Sequence, residues 1–332
     1  MNNENISLVH GSAVTAYGWH AIASNENKFL YTANPEVVRA WKGTIILLGA
    51  CDLTLVPWFA SRPKSQRLVL VVIDMANTMF TLQLMQEFRA LAQYVRALNS
   101  NRRSDVASML NDLFKPDIFV VNNALMASDF NDANTGALIV NLHPPANCQI
   151  RMNFFDKLYG ATALPRSTAL GGLQKYIRED VREVLTTFER QGKIQLIPAN
   201  IEGGSLGEKT VFPPEPQIVV SCRAPRLARI GDYKINYTDI ERAWKPATKY
   251  LNAIYSGSHY IGTIEQSAWE LAQDDELALF IENINDLTEA LEVACVYDPR
   301  ERHLRSLRRR AAAELRAINE QHYVSALRAL SC

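Results

Sequence analysis

Thr44-Ile-Ile-Leu-Leu-Gly49, followed by Arg67-Leu-Val-Leu-Val-Val-Ile-Asp74, decides the fold class. Each run is apolar, rich in β-branched residues and free of polar alternation, as a strand buried on both faces of a parallel sheet should be. Between them Thr54 is placed to cap a helix, and Pro57 falls in its first turn, where a missing N–H is tolerated. Beyond the second run, Phe80, Leu84, Phe88, Leu91 and Val95 recur at three- and four-residue steps, one apolar stripe of a helix lying on the sheet. Asp117-Ile-Phe-Val-Val-Asn122 and Gly136-Ala-Leu-Ile-Val-Asn-Leu142 continue the alternation. The expected fold is α/β, a doubly wound Rossmann-like sheet.

Outward from that core, residues 1–43 read as an N-terminal cap, with Asn34-Pro35 as a helix start. Residues 44–224 form the Rossmann-like domain. Its last elements are a long amphipathic helix from Leu170 to Gln191, ended by Gly192, and a terminal strand pair, Lys193–Ile197 with Gln217–Cys222. From 225 to 332 only helical patterns follow, around Ile240–Ile254, Ile264–Leu279, Ile284–Ala294 and Leu304–Leu330, which make a C-terminal helical extension.

Composition bounds the function classes. Lys plus Arg equals Asp plus Glu, so the 332-residue chain lacks the net basic footprint of a nucleic-acid binder, and a small-molecule substrate is expected. The basic cluster from Arg300 to Arg310 reads as a solvated helix face. No segment approaches the run of about 18 apolar residues that a membrane span needs. Met1-Asn-Asn-Glu-Asn carries no secretory pattern, and Cys51, Cys148, Cys222, Cys295 and Cys332 are never paired as C-x-x-C, so a cytoplasmic protein with reduced thiols is expected. Six scattered histidines without metal-ligand spacing give no metal site. The C-terminal helices are available to cover the site, extend the core or pair subunits as a homodimer.

Ligands of open parallel sheets bind past the carboxyl ends of the strands. Those ends are Gly49-Ala-Cys-Asp52, Asp74-Met75-Ala-Asn77, Asn122-Asn123 and Asn141-Leu-His143. Gly49 permits a tight turn against a ligand, and Asp74 is placed either to accept both hydroxyls of a ribose or to cap the next helix. In this order of elements the chain resembles class I S-adenosylmethionine (SAM)-dependent methyltransferases, whose sheet ends in an antiparallel hairpin like the one expected for residues 193–222. The resemblance implies SAM, consumed as substrate, held by Gly49, Asp52, Asp74, Met75 and Asn122. Where that family has an acid and three glycines, this chain has Leu47, Gly49, Cys51 and Leu53.

That departure brings it nearer to the nicotianamine-synthase-like branch, which directs an amine at the γ-carbon of SAM and releases methylthioadenosine. The specific reading is cyclisation of SAM to azetidine-2-carboxylate in secondary metabolism, as in azetidine-2-carboxylate synthases. The alternatives are a small-molecule methyltransferase and a non-catalytic binding protein of the same fold. For the cyclisation Asn123 would hold the amine, Tyr176 the sulfonium and Ser205 the carboxylate; Tyr176 is equally placed to pack its helix and Ser205 to be a plain loop residue. His20 and His143 are placed as bases for a methyltransferase or as structural groups, and Tyr17, Trp19 and Tyr31 as a lid or as cap packing.

Overall fold

Successive side chains of a strand point to opposite faces, and the central strands of the first sheet are buried on both. The computed structural model describes residues 6–11, 29–49, 51–72, 96–99, 102–146, 148–149, 166–170, 178–197, 200–202, 209–211, 217–223, 225, 227–230, 232–273, 275–316 and 318–330. In the first sheet β1 (Ser7–Gly11), β2 (Phe29–Thr32), β3 (Thr44–Leu48), β4 (Arg67–Val71), β5 (Ile118–Val121) and β6 (Leu138–Asn141) lie in the order β2-β1-β3-β4-β5-β6. Every pair is parallel. Leu8, Ile45, Leu47, Leu70 and Phe119 point to one side, against α1 (Pro35–Ala40), α2 (Leu55–Ser61), α3 (Arg103–Phe114) and α4 (Ala124–Asp132). Val9, Ile46, Val69, Val71 and Val120 point to the other.

A second sheet contains β7 (Arg166–Leu170), β8 (Ile194–Ile197), β9 (Ile218–Ser221), β10 (His259–Thr263) and β11 (Ala278–Ile281). Its order is β11-β10-β9-β7-β8, again all parallel. Numbered by appearance, that is 2-1-3-4-5, the order of the first five strands of the first sheet. The doubly wound plan therefore occurs twice. One face of the second sheet is covered by α5 (Glu179–Arg190), through Val181, Leu185 and Phe188, and the other by α7 (Thr248–Ser256), through Tyr250, Leu251 and Ile254. Between β9 and α7 lies α6 (Thr238–Trp244). Around β11 and beyond come α8 (Gln266–Leu271), α9 (Ile284–Val296), α10 (Pro299–Leu315) and α11 (Glu320–Ala329). The last of these returns to the first sheet, where Tyr323, Val324 and Leu327 close the face carrying Val9, Ile46 and Val69.

Two sequence expectations are corrected here. The terminal antiparallel hairpin does not exist: Ile194–Ile197 and Ile218–Ser221 flank β7 on either side, both parallel to it. The intervening strand, Arg166-Ser-Thr-Ala-Leu170, is too polar to be recognised as a buried run, and Leu170 ends it rather than opening the helix, which begins at Glu179. Among the described residues antiparallel pairing is confined to Asn200–Glu202 with Lys209–Val211 and to Leu227–Ile230 with Tyr233–Asn236, outside both large sheets. The expected cap and helical extension also carry strands: residues 7–11 and 29–32 belong to the first sheet, residues 259–263 and 278–281 to the second. The single methyltransferase-type sheet is thus replaced by two.

Candidate functional site

In a sheet ordered 2-1-3-4-5 the connections leave strands 1 and 3 on opposite faces, and a crevice opens between their carboxyl ends. The molecule has two such crevices. The first lies between His10-Gly11, at the end of β1, and the turn after β3. That turn begins at Gly49, whose φ of 63° is the left-handed conformation that favours glycine, and its N–H donates to the Val71 carbonyl at 3.0 Å. Asp52 is exposed and accepts from the Thr54 amide at 2.8 Å and the Thr54 hydroxyl at 2.6 Å; these bonds hold its carboxyl below the usual carboxylate range. His10 is buried, with Nδ1 2.9 Å from the Thr32 carbonyl oxygen, and burial lowers its pKa below the ordinary histidine value. A carbonyl can only accept, so Nδ1 carries the proton. Nε2 of the neutral ring is then a basic lone pair, and it has no partner among the described residues.

The second crevice, between the ends of β7 and β9, is the more highly charged. Arg223 lies just past β9, and Glu265 just past β10. The Arg223 guanidinium is 2.5 Å from Glu241 on α6 and 2.8 Å from Glu265. Both carboxylates and Lys245 are buried, and Lys249, in the first turn of α7, is partly buried beside them. With Arg223, Lys245 and Lys249 against Glu241 and Glu265, the cluster carries one more cation than anion whenever Lys249 is protonated. Burial, reinforced by the Arg223 charge, presses Lys249 down to about 7. A lysine so placed regains its proton when an anion arrives. The adjoining helix terminus favours the same ligand: α7 starts at Ala247 with no side-chain cap, leaving first-turn amides and the positive end of the helix dipole toward the crevice. Thr248 is buried there, and its hydroxyl has no partner among the described residues.

The two units meet at the carboxyl end of β5. Asn123 caps α4 by accepting from the Met126 amide at 2.7 Å, while its Nδ2 donates to the Ala243 carbonyl and the Ser267 hydroxyl, each at 2.8 Å. Asn122 donates to Val72 and Trp244 carbonyls, and the Trp244 indole donates to Asp129 at 2.7 Å. These bonds bring α6 and α8 of the second unit onto strand ends of the first.

Of the residues expected to form a site, Gly49 and Asp52 border the first crevice. Asn122 and Asn123 are buried at the junction, with side-chain amides bonded across it. Asp74, Met75, Tyr176 and Ser205 lie outside the described residues, as do His20, Tyr17 and Trp19. Tyr31 packs within the first sheet, its hydroxyl donating to the Gly11 carbonyl at 3.0 Å, and burial keeps His143 neutral at ordinary pH. Among the described residues no three His, Cys, Asp or Glu side chains converge as a metal set, and no helix is long and apolar enough to cross a membrane. Sequence reading missed Arg223, Glu241, Lys245, Thr248, Lys249, Glu265 and His10. The signal available was positional: a charged residue two places after each of two runs, Ile218–Ser221 and His259–Thr263, had the second run been recognised as a strand.

Neither a protein-family model nor a curated protein matches the sequence. Among solved structures the chain is similar to Anabaena Alr3699/HepE in complex with UDP and glucose, with a TM-score of 0.55 over 99% of this chain and 99% of that one, at 9% identity. The same protein in complex with UDP-glucose gives a TM-score of 0.52 over 96% and 99%, again at 9% identity. The fold is GT-B. A GT-B chain has two Rossmann-like units, where a class I methyltransferase has one sheet, so the SAM-family resemblance is overturned over the whole chain. With it go SAM as the cofactor or substrate, cyclisation to azetidine-2-carboxylate, release of methylthioadenosine and the methyltransferase alternative. Those readings rested on a terminal hairpin that does not form, and on taking Thr44–Gly49 as the first strand of its sheet when it is the third.

Proposed function

We propose that this GT-B chain is a glycosyltransferase that draws its sugar from a nucleotide-diphosphate donor and transfers it to a small-molecule acceptor. The observation that carries the reading is the charged cluster of the second crevice, joined to the start of α7, which has no side-chain cap, and to the Thr248 hydroxyl, without a partner among the described residues. A diphosphate is the ligand such a combination favours, because amide donors, a helix dipole and clustered cations all act on phosphate oxygens. The likeness to a fold that holds UDP-glucose supports a uridine donor.

In the transfer an acceptor hydroxyl oxygen bonds to the anomeric carbon as the bond from that carbon to the diphosphate oxygen breaks. Negative charge then grows on the leaving diphosphate, where Arg223, Lys249 and the α7 amides would stabilise it. His10, neutral and with Nε2 unpartnered among the described residues, is the base that would take the hydroxyl proton. The free thiols of Cys51, Cys222 and Cys295 support a reducing, cytoplasmic setting.

Calorimetric titration with UDP and with UDP-glucose tests the reading. Binding of both is expected, weakened about tenfold or more in Arg223→Ala and Lys249→Met, the loss of one charge-assisted hydrogen bond. Absence of UDP binding by folded wild-type protein, or undiminished binding by both variants, overturns it.

A further inference from the structure

The arginine-rich stretch of α10 is not the evenly solvated face its sequence suggests. Arg302 and Arg309 are buried. Arg305, Arg308, Arg309, Ala312 and Arg316 recur at three- and four-residue steps and line a cavity of about 280 Å³ between α10, α7 and residues 271–276. Leu251, Ile254 and Leu271 give this cavity an apolar floor.

Its charge does not balance. Four guanidinium groups line it with two carboxylates, Asp275 and Glu276, and Arg305 pairs with a third, Glu301, at 2.8 Å, which leaves a surplus of one positive charge. Both lining carboxylates are already engaged: Arg309 Nε is 2.6 Å from Asp275, and Arg305 is 2.5 Å from Glu276. Asp275 also accepts from the Tyr250 hydroxyl at 2.8 Å. Among the described residues Arg308 forms no ion pair, and the Arg316 guanidinium makes one hydrogen bond, at 3.3 Å to the Leu271 carbonyl. Arg309 is 8% exposed, yet its Nη2 has no hydrogen-bond partner among the described residues. A buried guanidinium with an unused donor, beside unmatched cations and an apolar floor, is a site short of an anion.

We propose that this cavity binds a small phosphomonoester. Arg308 and Arg316, the two guanidinium groups with no ion pair among the described residues, can meet the two charges of one phosphate dianion, and Arg305, Arg308 and Arg309 lie within about one helical turn, which concentrates the charge on one group rather than spreading it over two separated carboxylates. The organic remainder of the ligand lies over the apolar floor. This inference does not rest on the sugar-transfer reading. Lys249 and Tyr250 are adjacent on α7, so they project about 100° apart, the first toward the second crevice and the second into this cavity.

Calorimetric titration of the full chain with glycerol 3-phosphate, inorganic phosphate, succinate and glycerol tests the proposal, with Arg308→Ala/Arg316→Ala as the variant. Both positions are exposed, and circular dichroism verifies that the variant folds. Glycerol 3-phosphate is expected to bind more tightly than inorganic phosphate, glycerol not at all, and the double variant to bind the phosphomonoester at least about tenfold more weakly. UDP affinity should be the same in the variant and the wild type, which separates failure here from failure of the donor site. The proposal is overturned if glycerol 3-phosphate fails to bind, if succinate or inorganic phosphate binds as well, if UDP displaces it, or if the double variant binds it unchanged.

Discussion

Lys249 offers the sharpest test of the second crevice, because its proton reports whether an anion has arrived. In the free protein its pKa is about 7 against an ordinary 10.5, chiefly because burial strips the ammonium of water, with Arg223 adding repulsion. At pH 8 such a lysine is protonated in about a tenth of molecules. A diphosphate beside it restores the charged form, so binding UDP at pH 8 should take up about 0.9 proton per site. UDP contributes no proton change of its own there, since the second ionisation of a phosphate is complete well below pH 8.

The measurement is calorimetry of UDP binding in buffers of differing ionisation enthalpy, whose slope counts protons. Affinity should also fall toward tenfold, about 1.4 kcal/mol, for each pH unit above about 8. Lys249→Met keeps the volume of the side chain and should abolish both effects. A wild-type slope below about 0.2 proton, or the same slope in Lys249→Met, refutes the reasoning. The same lysine acts on folding: between about 7 and 10.5 the unfolded chain holds the proton that the folded chain lacks, so stability should rise with pH across that window.

Other outcomes follow from the packing. Asn123→Ala removes the α4 cap and the donors to Ala243 and Ser267, and should cost about 2–4 kcal/mol in urea unfolding; a loss under about 0.5 kcal/mol would show that the junction does not depend on it. Gly262→Ala would bring a Cβ within 2.5 Å of the buried Tyr260 hydroxyl, on the same face of β10. Displacing that ring should lower stability by about 1–3 kcal/mol, seen as a lower thermal midpoint. His259 is buried with neither ring nitrogen partnered among the described residues, and burial beside Arg302, Arg309 and Arg166 lowers it to about 3. Between 6.5 and about 3 the unfolded chain binds the extra proton, so this group should remove up to about 1.4 kcal/mol per pH unit as pH falls, and His259→Phe should flatten that part of the acid unfolding curve.

The centre of the first sheet was legible in the sequence, because buried parallel strands must be apolar on both faces: β3, β4 and β5 fall within the runs that announced them, as does the more exposed edge strand β6, whereas β1 and β2 were hidden in the expected cap. The second was not, and the cause lies in individual strands. His259-Tyr-Ile-Gly-Thr263 carries a buried histidine and a glycine that makes room for Tyr260, so its pattern is broken where its packing is tightest. Arg166-Ser-Thr-Ala-Leu170 opens on an arginine whose Nε donates to the Cys295 carbonyl at 3.0 Å, a contact from 129 residues away in the chain. Without those two strands the second unit collapses on paper into one hairpin and a set of helices, and Arg223 and Lys249 have no crevice to belong to. Asn122 and Asn123 stand between the end of β5 and the start of α4. Their partners across the junction, Trp244, Ala243 and Ser267, come from that unread half of the chain.

The return of α11 to the first sheet also sets a timetable for synthesis. Val9, Ile46, Val69 and Val120 leave the ribosome long before Tyr323, Val324 and Leu327, so the first sheet is made before α11 exists to pack on that face. Until then the stripe of β-branched residues lacks its α11 contacts, and surfaces of that kind draw in chaperones or other nascent chains. A ribosome that stops before Tyr323 therefore releases a first unit whose sheet is without those contacts.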